Sequence, residues 1–534
     1  MTMSFALGLL VGVLAVGDPG EGRRSLTLTH RSPARDRPGL SGSEQLVPSP
    51  GGHFLVHFTT TGADATTAVY ASEAAQWADT ARQVFTGFGW LPPPGDGSGG
   101  GDSRYDVYLK GLGTDVSGYT QLEASIPGGY PDDATSFIVL ATGMTGDEQS
   151  AAVAHHVHQA CQYAYSANEL GAWMEQSAGW IEELVAPGAN RWALRTGSYL
   201  GNCHKYLYVS DGWTEHGALL WPKFLVDSGA DADLIRRIWV RCAEVAGNNV
   251  VSATENELAA SGRATLTEEY QVFTAWNYLC GIRDDGLHYA EGDLISGAVP
   301  MVASHGSYPS SGESGLAAPY GLGANYVEFL NDGGESLHIS VDGSDAQGPW
   351  SAGVIAVHEG GSAYGLFGLD PSSGQGDTTL TGFSSLQRVI LVVHNLRLFA
   401  GAQGQFSYAA EVVGSTPPTA PSGLTTEVMA DWIRLSWNPS TDPDGDLAGY
   451  HVYRGAEAFL PTTAMTRIAT AITDENSGMP GVQWTDQNTA GADVVGNVTT
   501  NYFWRVSAVD AAANESASSG MAGEFDYVAV LPGR

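Results

Sequence analysis

The sequence predicts a multidomain chain in which an α+β domain is followed by two β-sandwich domains. Three observations predict it. At 534 residues the chain is too long for one apolar core, since domains hold roughly 50–250 residues. A few strand-like segments give way to helical periodicity up to about Arg283, and strand-like segments then recur between Gly, Asp and Ser turns. Thr416-Pro417-Pro418-Thr419-Ala420-Pro421 reads as a stiff linker into a last domain. The expected organisation is an export signal over 1–17, a flexible leader over 18–50, the α+β domain over 51–296, a first sandwich over 297–413 and a second over 414–534.

Each element has its own warrant. Phe5 to Val16 is an apolar run of signal-peptide length, with small residues Ala15-Val16-Gly17 for cleavage. No later stretch approaches the ~20 apolar residues that span a bilayer. Residues 18–50 are rich in Arg, Pro, Ser and Gly without periodicity. His53 to Phe58 alternates as a strand does, Ala65 to Phe88 has helical apolar spacing, and Tyr105–Leu109 and Ser136–Leu140 are further strands. Helices are expected around 151–165, 172–185, 217–226, 232–245 and 268–279. Strands are expected at 326–330, 337–341, 354–357 and 388–393.

Composition narrows the function. The net charge of −34 repels nucleic acid and anionic membrane surfaces, so neither is an expected partner. Only three lysines are present (Lys110, Lys205, Lys223); the other basic residues are arginine. Cys161, Cys203, Cys242 and Cys280 lack the close spacing of a cysteine zinc site. Disulfides and buried free thiols both stay open for them. No phosphate-binding loop, dinucleotide fingerprint or nucleophile elbow is present.

The last domain carries a specific pattern. It reads Pro421-Ser422-Gly423-Leu424, Ile433-Arg434-Leu435-Ser436-Trp437, Gly449-Tyr450-His451-Val452-Tyr453-Arg454 and Tyr502-Phe503-Trp504-Arg505-Val506-Ser507-Ala508-Val509-Asp510. This resembles a fibronectin type III module over about 416–530, which implies a β-sandwich with Trp437 at its core. Tyr502, Trp504, Val506 and Ala508 then share one strand face. Within it, Asp442-Pro443-Asp444-Gly445-Asp446 resembles the start of a calcium loop. Tyr453 stands where an EF-hand needs its last glutamate, and an acidic turn between strands is the competing reading.

The most informative stretch is Ala151-Ala152-Val153-Ala154-His155-His156-Val157-His158-Gln159, followed by Trp173-Met174-Glu175 and Trp180-Ile181-Glu182-Glu183. With Tyr105 to Leu109 before it, and Trp276-Asn277-Tyr278 and Arg283-Asp284-Asp285 after it, it resembles secreted bacterial zinc metalloproteases of the gluzincin kind. That family carries an H-E-x-x-H helix, then a helix supplying a glutamate ligand. Residues i and i+4 share a helix face, so two imidazoles can grip one zinc while the glutamate between them takes a proton from water. The resemblance makes His155 the first ligand and Glu175 the third. His156 stands at the general-base position, and Gln159 stands where the second histidine belongs. An amide is a poor zinc ligand. One of Glu182 and Glu183 is expected to steady a ligand, and His204, Tyr206 and His216 lie where such enzymes place a transition-state donor.

The resulting expectation is a secreted or cell-surface metallopeptidase-like protein, catalytically impaired, with a binding or scaffolding role. One alternative is an active zinc metallohydrolase with a shifted ligand set of His155, His158 and Glu175. The other is an adhesion or polymer-binding protein acting through its β-sandwiches. The expected partners are accordingly a protein or peptide, or a cell-surface polymer. Zinc and calcium are the cofactors in question.

Overall fold

A computed structural model describes residues 24–25, 36–95, 97–229, 232–331, 334–414, 416–429, 432–473, 481–487 and 500–525. The expected export segment lies outside the described residues. Among the described residues no helix is long and apolar enough to cross a membrane.

The first unit is built on a six-stranded mixed sheet. Its strands are β1 (Arg24–Ser25), β2 (Glu44–Pro48), β3 (Phe54–Thr59), β4 (Tyr105–Lys110), β5 (Val116–Ser125) and β6 (Ala134–Ala141), in the order β1-β5-β6-β4-β3-β2. Helix α1 (Ala68–Gly87) buries Ala71, Ala74, Ala75, Ala78, Ala81 and Phe85, a stripe at helical spacing whose small side chains let it lie close to its neighbours. Helices α2 (Gly146–Gln162) and α3 (Gly171–Val185) pack on each other, and α2 also contacts α1, β5 and β6. Every α2 residue from Gln149 to Gln162 is buried. Further helices complete the layer: α4 (Gly197–Leu200), α5 (Thr214–Gly217), α6 (Leu220–Asp227), α7 (Asp233–Ala243), α8 (Val250–Ala260) and α9 (Leu266–Tyr278).

Helix starts differ from expectation for a local reason. Helix α2 begins five residues before Ala151 because Thr145 and Glu148 form a reciprocal capping box. Thr265 and Glu268 do the same for α9. The leader expected to be loose over 18–50 is corrected in its second half. Strand β2 pairs with β3, and Arg37 forms ion pairs with buried Asp106 and with Glu123. His57, between Glu44 and Asp106 at 2.9 and 2.8 Å, ties β2 further to the sheet. Composition suggested disorder, but pairing with β3 and two acidic partners from distant strands, Asp106 and Glu123, override it.

The first sandwich contains β7 (Met301–His305), β8 (Ser310–Glu313), β9 (Gly323–Leu330), β10 (Ser336–Gly343), β11 (Trp350–His358), β12 (Gly361–Phe367), β13 (Gln375–Thr381), β14 (Arg388–Asn395) and β15 (Phe406–Val413). They form sheets of order β13-β10-β15-β8 and β12-β11-β14-β9-β7. The five-stranded sheet is covered on both faces. Its Val327, Phe329, Leu391 and Val393 face the four-stranded sheet. Its Tyr326, Ile355, Ile390 and Val392 join the core of the helical unit. Tyr326 Oη donates to Thr274 O at 2.8 Å across that seam, and the Thr274 hydroxyl lies 2.7 Å from His394 Nε2. The unbroken apolar run Val389 to Val393 carries this signal, because a strand buried on both faces does not alternate.

The terminal sandwich contains β16 (Ser422–Val428), β17 (Trp432–Asn438), β18 (Leu447–Gly455), β19 (Thr466–Ile472), β20 (Val482–Gln487), β21 (Phe503–Asp510) and β22 (Ala522–Gly523). Sheets of order β16-β17-β20 and β19-β18-β21-β22 enclose Trp437, Trp504, Val506 and Ala508. This is the fibronectin type III-like sandwich that the sequence resemblance implies. All four cysteines are free thiols, buried in the α-helical unit.

Candidate functional site

The stretch that carries the sequence signal lies where α2 meets α3. Glu175, on α3, is the hub and is almost fully buried. Its Oε1 accepts from Gln159 Nε2 at 2.8 Å. Its Oε2 lies 3.1 Å from His155 Nε2 and 3.2 Å from His216 Nδ1. His155 Nδ1 lies 2.8 Å from Glu182 Oε1, and Glu182 Oε2 accepts from Arg195 at 2.5 Å. The expected first and third ligand positions and the altered second one therefore do converge. They converge on each other, as a closed network of hydrogen bonds and ion pairs.

Electrostatics explains why the network closes. Burial works against charge on His155, but the carboxylates of Glu175 and Glu182 overcome it and push the imidazole up to about 9. His155 thus lies between the two carboxylates, hydrogen-bonded to Glu182 and ion-paired with Glu175, with Gln159 Nε2 also 3.2 Å from its Nε2. Burial opposes the Glu175 charge too, yet His155 and His216 hold its carboxyl well below the usual range. Arg195, then His155, likewise keep Glu182 low against burial. Gln159 fits because an amide has both roles at one end. Its nitrogen donates to Glu175, while its oxygen accepts from Thr120 Oγ1 and lies 3.0 Å from His156 Nδ1.

Two expected assignments are corrected here. His158 is no part of a shifted site. Its Nδ1 accepts from Gln162 at 2.9 Å, and its ring sits edge-on to Trp90 and Phe85, with centroids at 4.4 and 5.3 Å. Residues three apart differ by about 60° around a helix. On a helix wrapped on all sides, that angle puts His155 against α3 and His158 against α1. His156 is no general base for this site either. It turns towards β5, where a Cβ on Gly118 would lie 2.8 Å from its Nε2. Burial, then the His155 charge, pushes its pKa down to about 3.

The shifted ligand set of His155, His158 and Glu175 is not assembled: among the described residues, three His, Cys, Asp or Glu ligand atoms gather at Asp442, Asp444 and Asp446 and not here. Gln159 turns its amide nitrogen, not its oxygen, towards Glu175. The space in front of His155, lined by Ser117, Met144, Ala151, Ala152, Glu182 and Arg195 among others, is about 20 Å³. That holds about one water, whereas substrate pockets run to roughly 300–1,000 Å³.

Of the two glutamates left open by the sequence, Glu182 holds His155. Glu183 does not join the network; burial, then the Glu291 charge, pushes it up to about 7. Of the three downstream residues, His216 reaches Glu175. Tyr206 instead donates to Leu398 O at 3.1 Å, and the His204 carbonyl accepts from Tyr320 N at 2.8 Å. Arg195 was missed. It lies on a single turn, Ala193–Arg195, with no periodicity to mark it.

In the acidic loop of the terminal domain, ligand atoms of Asp442, Asp444 and Asp446 all lie within 4.8 Å of one another. Burial, then Asp442, pushes Asp446 up to about 6. The loop also pins the linker: Gly414 N donates to Asp446 at 3.1 Å and Thr416 N to Asp444 at 2.9 Å. Tyr453, at the last position expected of an EF-hand, donates instead to Glu515 at 2.6 Å.

Comparison with known proteins adds the following. No family model matches the chain. It is 30% identical over 177 residues to the chitinase Chi52 of Paenibacillus xylanexedens, covering 33% of this chain and 27% of that one. It is 36% identical over 90 residues to exoglucanase B of Cellulomonas fimi, covering 16% of this chain and 8% of that one. The chain thus spans about a quarter of the one relative and under a tenth of the other. Among solved structures it is similar to the chicken CNTN1 FN1–FN3 domains, at 18% identity and a TM-score of 0.20, over 33% of this chain and 55% of that one. The fold is that of a multidomain, β-rich protein, and parts of the chain are similar to parts of a chitinase and of an exoglucanase.

Proposed function

We propose that this is an exported polymer-binding protein that acts through its β-sandwiches on polysaccharide, with the α+β unit as a scaffold that does no chemistry at His155. The closed network around Glu175 is the observation that carries the reading. It turns His155 and Glu175 towards each other, sets His158 apart against Trp90, and leaves about 20 Å³ in front of His155. The partial identity to a chitinase and an exoglucanase supports polysaccharide as the polymer. Convergence of His155, residue 159 and Glu175 supports a further reading, that the α+β unit derives from a peptidase-like scaffold whose metal site was rewritten.

Sedimentation of the full chain with insoluble chitin, cellulose and xylan tests the proposal. The expected result is depletion from the supernatant by at least one polymer, with no soluble sugar released. Absence of binding to all three, or release of sugar or cleaved peptide that stops on changing Glu175, contradicts it.

A further inference from the structure

We propose that residues 36–43 form an acid-released strap, latched by Arg37 across the outer face of the six-stranded sheet, and that His57 takes over the Arg37 partner Asp106 when the strap leaves.

That sheet has a second apolar face. Val107, Leu109, Ile138 and Leu140 point into the helical core. Their neighbours along each strand point the other way. His57, Tyr108, Val139 and Tyr119 stand abreast across β3, β4, β6 and β5. Tyr108, Val139 and Phe137 form a small buried cluster of their own on this side.

The strap is fastened over this face by polar contacts. Residues 36–43 carry no helix or strand, and none of them is buried. The Arg37 guanidinium grips Glu123 with two bonds, at 2.7 and 2.9 Å, and pairs with Oδ2 of the fully buried Asp106. It also lies 5.7 Å from the centre of the Phe137 ring and 3.4 Å from Tyr108 Oη. Further along, Lys110 Nζ donates to Gly39 O at 2.7 Å, and Ser41 exchanges two bonds of 2.8 Å with Asp64. A segment with few buried apolar contacts opens locally at less cost than its domain unfolds. The strap therefore opens while the sheet stays folded.

Opening would be costly if it stranded the Asp106 carboxylate. His57 prevents that. Its Nε2 lies 2.8 Å from Oδ1, the oxygen that Arg37 leaves unused, and Gly100 N donates to Oδ2 at 3.1 Å. The groups that face His57 are Glu44 on β2, Asp106 and the stacked Tyr108 on β4, Arg37 across Asp106, and Asp102 in the loop before β4. Burial opposes charge on His57, but Asp106, then Glu44, raise its pKa above the usual value. Removing Arg37 takes a positive charge away from the imidazole and gives it the whole of Asp106. His57 thus holds its proton more tightly with the strap open than closed. By linkage, taking up that proton favours opening. A fall in pH through the His57 titration releases the strap, and a rise locks it. Protons taken up by Asp106 or Glu123 act in the same direction.

A thiol placed under the strap reads the opening on the full chain. In Val139→Cys, the introduced thiol is compared with native Cys161, buried in the helical core of the same unit. Rates with a disulfide reagent are divided by those of free N-acetylcysteine at each pH. We expect the introduced thiol to react at least about tenfold faster than Cys161 at pH 5.5, and to slow by about threefold or more at pH 8. Adding Arg37→Gln should make it fast at both pH values, and adding His57→Gln should remove the pH dependence. Equal rates for the introduced thiol and Cys161, no slowing at pH 8, or slowing that survives His57→Gln overturns the proposal. Hydroxyl-radical oxidation of Tyr108 and Phe137 reads the same opening in wild type, without any substitution under the strap. It should be greater at pH 5.5 than at pH 8, and equal oxidation at both overturns the proposal.

Discussion

Two carboxylate-rich regions of this molecule obey the same electrostatics with opposite outcomes. Around Glu175 the carboxylates are buried, and each is matched by a donor: His155 as imidazolium, His216, Gln159 and Arg195. On the outer face of β13-β10-β15-β8, Glu313, Asp342 and Asp377 are exposed, and among the described residues none of the three is in an ion pair. Inside a protein an unmatched charge costs several kcal/mol, so burial demands closure. At the surface the same group costs little and stays available to a partner. The helical unit thus draws its carboxylates into a closed network, while the sandwich keeps its charge open.

Breaking the buried half should have the largest effect. Glu175→Ala removes the hub and leaves His155, His216 and the Gln159 amide facing an empty space, which should cost about 3–5 kcal/mol. Chemical denaturation measures it, and a loss under about 1 kcal/mol would mean that the network is dispensable. Gln159→Leu leaves the Glu175 carboxylate short of one donor and His156 and Thr120 short of an acceptor. About 1–3 kcal/mol is expected. The exposed half contrasts with both: Asp377→Asn on that outer sheet face should change stability by less than about 0.5 kcal/mol.

The pH dependence sharpens the contrast. His155 titrates at about 9 in the fold against 6.5 unfolded, so its contribution is fully present below pH 6.5 and is lost as pH rises through about 9. His156 is displaced the other way, to about 3, so stability falls as pH drops below 6.5, where the unfolded form takes up the proton. The site's contribution should therefore peak near pH 6.5, as read from urea midpoints between pH 5 and 10. His155→Gln should flatten the alkaline decline and leave the acid one. An unchanged alkaline slope would refute a protonated His155. The smallest effect is expected at the linker. Asp446→Asn keeps an acceptor for Gly414 N and should alter the terminal domain's stability by less than about 0.5 kcal/mol, as differential scanning calorimetry would show.

Much of the fold was legible where the signal is local. Periodicity marked α1 and α3, alternation marked β3, and Trp437 with the Tyr502-to-Ala508 face marked the terminal core. Strands such as Val116–Ser125 and Phe406–Val413 were not marked, because their polar outer faces dilute the apolar signal. The capping boxes at Thr145 and Thr265 were readable and extend two helices beyond their apolar runs. At the site, spacing brought out His155, Gln159 and Glu175, since i and i+4 geometry is intrinsic to a helix. It could not tell which way His156 and His158 face, because that depends on α1, β5 and Gly118 packing around α2. Arg195 reaches Glu182, and Glu313, Asp342 and Asp377 share one sheet face, only through tertiary pairing, which no window along the chain reveals.

Metal content is the most direct test of whether the Glu175 network is closed. Full-length protein purified without chelator, then exposed to zinc and desalted, should hold far less than one zinc per chain, and His155→Ala should not change that value. About one tightly held zinc per chain, lost in His155→Ala, would contradict the account.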